Sequence, residues 1–510
     1  MVPPVPSRSL ISRLRSYTSA YLHQYTLCTI FASIGGFLFG YDTGSIGPIT
    51  VMPQFLEVFS PISPTLHGFI VSSILLTAST ASFFAGALSD RISRKYTFAV
   101  GGAVFSVGSV IVASAKTLPQ LIVGRCIAGV GEGLFLATIT VYTCEIAPTA
   151  IRGTLACTTQ LFVTFGIASG YFICYGTVQL SGSISWRFPF AMQAVVAALF
   201  AAGSPFLPHS PRWLSHVGRH EEAKLAWTRL GVSPAEAEKE EMSAAAVERQ
   251  QTEGRSDWKR QLRQVWAKDV RKRTALGCFL MLMSNLSGID GVLYYAPVLF
   301  TQAGLSSTKA SFLASGVSGL LNVGCTIVSQ PFTDKWGRRP SVIIGGSVIA
   351  SSMLIIASIY ASHGDRTQSG RWAIIVFIYI FVMAFSITWA IAMRIYASEI
   401  QPMRTRAAAT SIGQSANWVG NWVIAFTTPL FLAKSSSGPY FLFGGFSTLT
   451  VLVCIAYQSE SKGVSLEELD EVFKTSPWRQ IMRDMRKARP EHREIDDIEL
   501  AETLSSQRID

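Results

Sequence analysis

Charge is scarce in this chain. Of its 510 residues only 15% are Asp, Glu, Lys or Arg, while 49% are hydrophobic, and the mean hydropathy is +0.35. A soluble globular protein carries about a quarter charged residues, so a water-soluble enzyme is excluded. Asparagine is scarcer still, with four in the whole chain. The eight cysteines (28, 126, 144, 157, 174, 278, 325 and 454) show no CxxC spacing. They fall in or beside apolar runs and read as small packing residues, not as metal ligands or a disulfide framework. There is no P-loop and no nucleophile–base pair, so neither enzymatic chemistry nor a cofactor or metal is expected. No cleavable signal peptide is visible, because the first residues are polar and basic and the first apolar run is long enough to span. No Asn-x-Ser/Thr sequon lies in an outward loop; Asn285-Leu286-Ser287 sits inside an apolar run.

What is present is a series of apolar runs of about 20 residues, the length a helix needs to cross the hydrocarbon core. Twelve are expected, at about 25–46, 66–88, 96–115, 119–142, 154–175, 186–207, 273–300, 309–333, 339–361, 371–398, 404–432 and 438–457. The net charge of +11 is unevenly spread. Lys and Arg collect before the first run, between the second and third, between the eighth and ninth, and in the 208–272 stretch. The 47–65 loop has none, and 301–309 has only Lys309. The 9–10 loop, with Arg366 and Arg371, is the exception. This is a positive-inside pattern that puts both termini in the cytoplasm; the plasma membrane is the expected location. The basic surplus is then an orientation signal and an attraction to anionic lipid, not a nucleic-acid footprint.

Two motifs occur twice. Asp90-Arg91-Ile92-Ser93-Arg94-Lys95 returns as Asp334-Lys335-Trp336-Gly337-Arg338-Arg339, 244 positions later. Glu145-Ile146-Ala147-Pro148 with Arg152 returns as Glu399-Ile400-Gln401-Pro402 with Arg406, at an offset of 254. Two matches at nearly one offset predict a duplicated all-α bundle, two pseudo-symmetric six-helix halves. The expected organisation is a cytoplasmic N-terminus (1–24), a first bundle (25–207), a cytoplasmic helical linker (208–272), a second bundle (273–457) and a cytoplasmic tail (458–510). Within the linker, 221–227 reads as amphipathic and 233–250 as helix-prone; in the tail, 465–474 does. The repeated charges Asp90, Arg91, Arg94, Glu145, Arg152, Asp334, Arg338, Arg339, Glu399 and Arg406 are candidate gating residues. A network among them holds the halves together on one side and breaks when they rock apart. The plainer alternative is that they only fix topology.

The chain resembles a fungal-type sugar porter of the major facilitator superfamily over residues 25–470. The resemblance rests on Gly36 through Gly44 in the first run, the two charged turns, Gly124-Arg125 with Gly129, Gly131 and Gly133, and Gln160-Leu161. It continues through Ser210-Pro211-Arg212, Ser287-Gly288-Ile289, Tyr294-Tyr295, Asn417-Trp418 with Asn421, and Glu460-Ser461-Lys462-Gly463 with the following Ser465-Leu466-Glu467-Glu468. It implies twelve helices, short intracellular helices, a midplane site between the halves, and alternating access for a small sugar-like molecule, with H+ as the coupling ion. Drug-type antiporters usually carry Gly-Pro in the fifth run; 154–175 has no proline, which argues against an efflux exporter. Sugar sensors tend to have long signalling tails, and this tail has about 50 residues.

Ionisable groups inside a bilayer each cost about 2.5–3.5 kcal/mol on insertion scales and need a reason. The resemblance implies that Asp42 and Arg125 couple protons; the alternative is a permanent ion pair. Glu132, seven residues after Arg125 on roughly the same helix face, either pairs with it or joins a proton path. Gln160, Asn322 and Asn421 match positions that hydrogen-bond sugar in the family, and Ser284, Asn285, Asn417 and Trp418 are further candidates for substrate contact. Hydrogen bonding between helices is the alternative for the amides. The sequence departs from the family where Asp290 replaces an amide and Arg394 replaces a tryptophan that lies against the sugar, and where His209 replaces a glutamate. Three readings stay open for Arg394. It binds a substrate carboxylate, as suits a sugar acid or quinate-like metabolite; it pairs with Asp290; or it joins the inner charges through Glu399.

Overall fold

The computed structural model describes residues 24–148, 151–232, 237–238, 263–268, 270–305, 307–402 and 405–461. The side chains at 152–154, 156, 331–335 and 406–407 lie outside that description, as do the expected helices at 233–250 and 465–474 and the N-terminal stretch.

All regular structure among the described residues is helical. The first apolar run is two helices in line, α1 (Gln24–Ala32) and α2 (Ile34–Val51), followed by a short α3 (Pro53–Phe59). Then come α4 (Pro64–Ile92), α5 (Arg94–Ala113), α6 (Leu118–Ile146), α7 (Arg152–Thr177) and α8 (Ile184–Gly203). Two short helices follow, α9 (Pro211–His216) and α10 (His220–Leu230). The second half consists of α11 (Arg271–Leu286), α12 (Ile289–Gln302), α13 (Thr308–Trp336), α14 (Arg338–Ala361), α15 (Gln368–Ile387), α16 (Trp389–Glu399), α17 (Arg406–Lys434) and α18 (Gly438–Tyr457). Taking α1–α2, α11–α12 and α15–α16 as broken single crossings gives six crossings per half. Among the described residues ten stretches are long and apolar enough to cross a membrane. The two outside that count are the broken α1–α2 and α17, which carries Gln414, Asn417 and Asn421.

Local chemistry sets the boundaries. Ser63 caps α4 by accepting from the Leu66 N–H at 3.2 Å, with Pro64 at the first helical position. Ser210-Pro211 starts α9 the same way. In α10 the acids Glu221 and Glu222 stand in the first turn, Ala223, Ala226, Trp227 and Leu230 are buried, and Gly231 ends the helix in the left-handed region. The break between α11 and α12 falls at Gly288, whose φ of +91° only glycine adopts without strain. That break puts Asp290 in the first turn of α12, where the helix dipole favours an anion.

The duplication is visible in backbone geometry. Ser93, between α4 and α5, has φ +83° and ψ 150°; Gly337, between α13 and α14, has φ +79° and ψ 154°. Each repeated turn thus bends through the same conformation, one with glycine and one with serine. Within the first half, α2 and α7 lie so close that a Cβ on Gly40 or Gly44 would meet the carbonyls of Val163 or Ile167. Among the described residues the two large apolar cores lie largely one per half, each borrowing a few side chains from the other half, with two small clusters around Trp213 and Ala85.

Candidate functional site

Both repeated motifs meet inside each half. Arg94 gives Glu145 two hydrogen bonds, Nε to Oε2 at 2.9 Å and Nη2 to Oε1 at 2.8 Å, and its Nη1 reaches Asp90 at 2.8 Å. In the second half Arg338 Nη2 donates to Glu399 Oε1 at 3.1 Å. Glu399 also accepts from Ser461 Oγ at 2.7 Å, and Arg339 donates to the Ile455 carbonyl at 2.8 Å. These charges therefore tie helices together within their own half. Arg91 is exposed; the side chains of Arg152, Asp334 and Arg406 lie outside the description.

A third repeat emerges that the sequence reading did not pair. Glu460 accepts from the backbone N–H groups of Arg338 and Arg339 at 2.9 and 3.0 Å, capping α14 beside Gly337. At the matching place of the first half stands His209, whose Nδ1 lies 2.8 Å from Ser93 Oγ and whose ring stacks on Trp213 at 5.1 Å. Burial, then the charges of Lys95 and Arg219, push the His209 pKa down to about 4, against Glu222.

Deeper in the first half, Arg125 on α6 and Asp42 on α2 form a two-pronged pair, at 3.2 and 3.1 Å. Both are buried, at 1% and 4% exposure, so the pair is withdrawn from water. Gln193 Nε2 adds a hydrogen bond to Asp42 at 3.3 Å, and the Val71 carbonyl accepts from Arg125 at 3.0 Å. Glu132 is fully buried nearby, and neither of its carboxyl oxygens has a hydrogen-bond partner. Of the two alternatives for Glu132, a pairing with Arg125 is not formed: Arg125 turns its guanidinium toward Asp42.

The polar candidates divide into two groups. Asn285 donates to the carbonyls of Met281 (3.0 Å) and Asn417 (3.1 Å), and Asn417 donates to Met281 (3.3 Å), locking α11 to α17. Ser284 turns back to Met281, and Asn322 accepts from Ser386 at 2.9 Å. Trp418 meets Phe39 of the first half edge-on. In contrast, Asp290 Oδ2 and Asn421 Oδ1 are buried oxygens without a partner. Arg394 Nη1 donates across the interface to Gln160 Oε1 at 3.2 Å. Gln160 lies eight residues into α7, about 12 Å from its start at 1.5 Å per residue. Arg394 nevertheless keeps exposed surface, so that surface belongs to the cleft between the halves. No ion pair links it to Asp290 or Glu399 among the described residues; Glu399 is taken by Arg338 and Ser461.

At the ends opposite the charged turns the halves close tightly. A Cβ on Gly47 would meet the Tyr294 carbonyl, and one on Gly68 the Phe426 carbonyl. The Tyr171 hydroxyl donates to the Leu293 carbonyl, and His67 stands edge-on to Tyr295 at 5.3 Å.

Two six-crossing halves, a buried Asp–Arg pair in one and polar groups facing the other define a membrane transporter of the major facilitator fold. The description "Sugar (and other) transporter" covers residues 28–473, and the chain belongs to that family. It is 32% identical over 479 residues to sugar transport protein MST2 of Oryza sativa subsp. japonica, covering 89% of this chain and 91% of that protein. It is 31% identical to glucose transporter GlcP of Staphylococcus epidermidis, covering 87% and 96%. Among solved structures, the proton:xylose symporter XylE bound to 6-bromo-6-deoxy-D-glucose superposes with a TM-score of 0.73 at 26% identity, over 90% of this chain and all of that one.

Proposed function

We propose that the protein moves a sugar or sugar-like polyhydroxy compound across the plasma membrane by alternating access, coupled to proton symport, and is not an enzyme. The observation that carries this is the withdrawn Asp42–Arg125 pair in a first half that meets the second through polar side chains, Gln160 to Arg394. A carboxylate whose cationic partner moves away loses its compensation and takes up a proton; when the partner returns the proton leaves. Glu132, buried and unpartnered within the same half, belongs to that path. The sugar and glucose transporters among its relatives support a sugar, and the likeness to the proton:xylose symporter XylE supports proton coupling. The excess of Lys and Arg on the side of the turns supports cytoplasmic termini. The Arg94–Glu145 and Arg338–Glu399 pairs serve as gates that exchange partners as the halves rock.

Uptake of labelled hexoses, pentoses, polyols and sugar acids into vesicles, with and without a protonophore, tests this reading. Uphill accumulation that collapses with the protonophore is expected. Accumulation indifferent to the proton gradient would remove the coupling, and no uptake of any polyhydroxy compound would remove the substrate class.

A further inference from the structure

Three arginines in the bundle have carboxylate partners: Arg125 with Asp42, Arg94 with Glu145, and Arg338 with Glu399. This is what a low-dielectric setting demands of a guanidinium, whose charge is costly unless opposed. Arg394 differs in setting: it keeps exposed surface toward the cleft and has no carboxylate of its own among the described residues, so its fork faces the space a ligand would enter. Its hydrogen bond is to the neutral Gln160 amide, and it forms no ion pair among the described residues. The acid within its electrostatic reach, Asp290, does not close on it and keeps a buried oxygen without a donor. Asp290 sits two residues beyond the break at Gly288, and Arg394 six residues, about 9 Å, beyond the break at Thr388. Irregular backbone between half-helices is where transporters of this architecture place their ligands.

We infer that Arg394 and Asp290 together select a polyhydroxy substrate carrying one carboxylate, a uronic-acid-like compound, with Arg394 holding the carboxylate and Asp290 accepting from hydroxyls. The inference rests on the transport reading above and narrows its substrate. A guanidinium presents a planar fork that matches a carboxylate two-to-two, and such charge-assisted bonds are about twice as strong as neutral ones. A neutral sugar would leave that fork with only dipoles to oppose it. Placing the substrate carboxylate on Arg394 also supplies the counter-charge that Asp290 withholds. Gln160 Oε1 then holds the guanidinium from the opposite half, so the carboxylate is gripped only while the halves share it.

The test is counterflow exchange by the full chain in proteoliposomes, which reads binding and translocation whatever the coupling or direction. D-glucose and D-glucuronate form one matched pair and D-galactose and D-galacturonate another, each differing at a single carboxylate. The acids are expected to exchange about tenfold or more faster than the neutral partners at limiting concentration. Arg394→Gln should remove that advantage, and Arg394→Lys, which keeps the charge but not the fork, should retain part of it. Thermal stability of each variant in detergent reports folding; should Arg394→Gln fail to fold, competition of each acid against its neutral partner on the unaltered protein decides the same point. Exchange of neutral sugars without their acids, or acid exchange that survives Arg394→Gln, overturns the inference and leaves the transport reading standing. A folded protein that exchanges none of the four overturns both.

Discussion

At the scale of single residues, the Asp42–Arg125 pair makes the sharpest demand. Replacing Asp42 by Asn keeps the shape and removes the charge that opposes Arg125. Removing one partner of a buried pair typically costs about 3–5 kcal/mol; here the Val71 carbonyl still accepts from Arg125 and Gln193 Nε2 can still donate to the side-chain oxygen at 42, so the folded state is expected to survive with a lowered melting temperature. Uphill accumulation should be abolished while exchange persists, measured by uptake against counterflow in the same vesicles. Unchanged uphill uptake would mean the pair is only structural. Glu132→Gln, which keeps volume and removes the acid, should leave the melting temperature nearly unchanged, because no hydrogen bond is lost; the pH dependence of accumulation should change. The burden carried by Asp42 and Arg125 is legible in sequence, since charges inside apolar runs are rare and costly. Partner choice is not. Glu132 stands on a face with Arg125, yet the guanidinium turns to another helix, a decision made by packing between α2 and α6. The same holds for Asn285 and Asn417: their placement in apolar runs marks them as special, but only the neighbouring carbonyls show that both are spent in joining helices.

At the scale of elements, the two repeated turns form an internal experiment. Ser93 holds at φ +83° a conformation that Gly337 adopts at φ +79° without a Cβ. A non-glycine residue in such a region costs about 1–3 kcal/mol, offset in part by the Ser93–His209 hydrogen bond, about 1 kcal/mol. Ser93→Gly is therefore expected to hold or raise the melting temperature by about 1–2 °C. Gly337→Ser should lower it, because its Cβ would stand 2.8 Å from Glu460 Oε2 and disturb the cap on α14. Differential scanning fluorimetry on the two variants checks the asymmetry; equal losses would contradict it. His209 adds a pH signature. Its ring stays neutral down to about pH 4, while an unfolded histidine protonates near pH 6.5. The unfolded chain thus binds more protons between those values. This contribution to stability is complete above pH 6.5 and is lost as pH falls toward 4. The melting temperature should fall more steeply on acidification in the unaltered protein than in His209→Gln. The duplication itself was legible from motif spacing, and the run lengths placed the helices closely. The pairing of His209 with Glu460 was harder to see: a serine follows each and the family has glutamate at 209, but histidine hides the match until the common backbone turn shows it.

At the scale of the whole molecule, the halves meet tightly at the ends opposite the charged turns, while Arg394 keeps exposed surface in the cleft toward the turns. Closure at those ends depends on backbone touching backbone: α2 reaches α12 only because residue 47 has no Cβ, and α4 reaches α17 only because residue 68 has none. Such contact cannot yield as a flexible side chain would, and a packed interface responds by separating as a body. Gly47→Val is therefore expected to hold the outer ends apart without unfolding either half, since each half keeps its own core. Alternating access needs both closures, so transport should fall by at least about tenfold, a barrier of only about 1.4 kcal/mol. Substrate binding should persist, because the groups at Gln160, Asp290 and Arg394 are untouched. A cysteine-reactive, membrane-impermeant probe would distinguish the outcomes. An added cysteine at Tyr294, buried at 1% exposure under the closure, should become reactive from the outer side in Gly47→Val and stay protected with glycine at 47. Loss of transport with the cysteine still protected would place the defect in folding or in the inner half of the cycle, and full transport with valine at 47 would show that these ends need not seal.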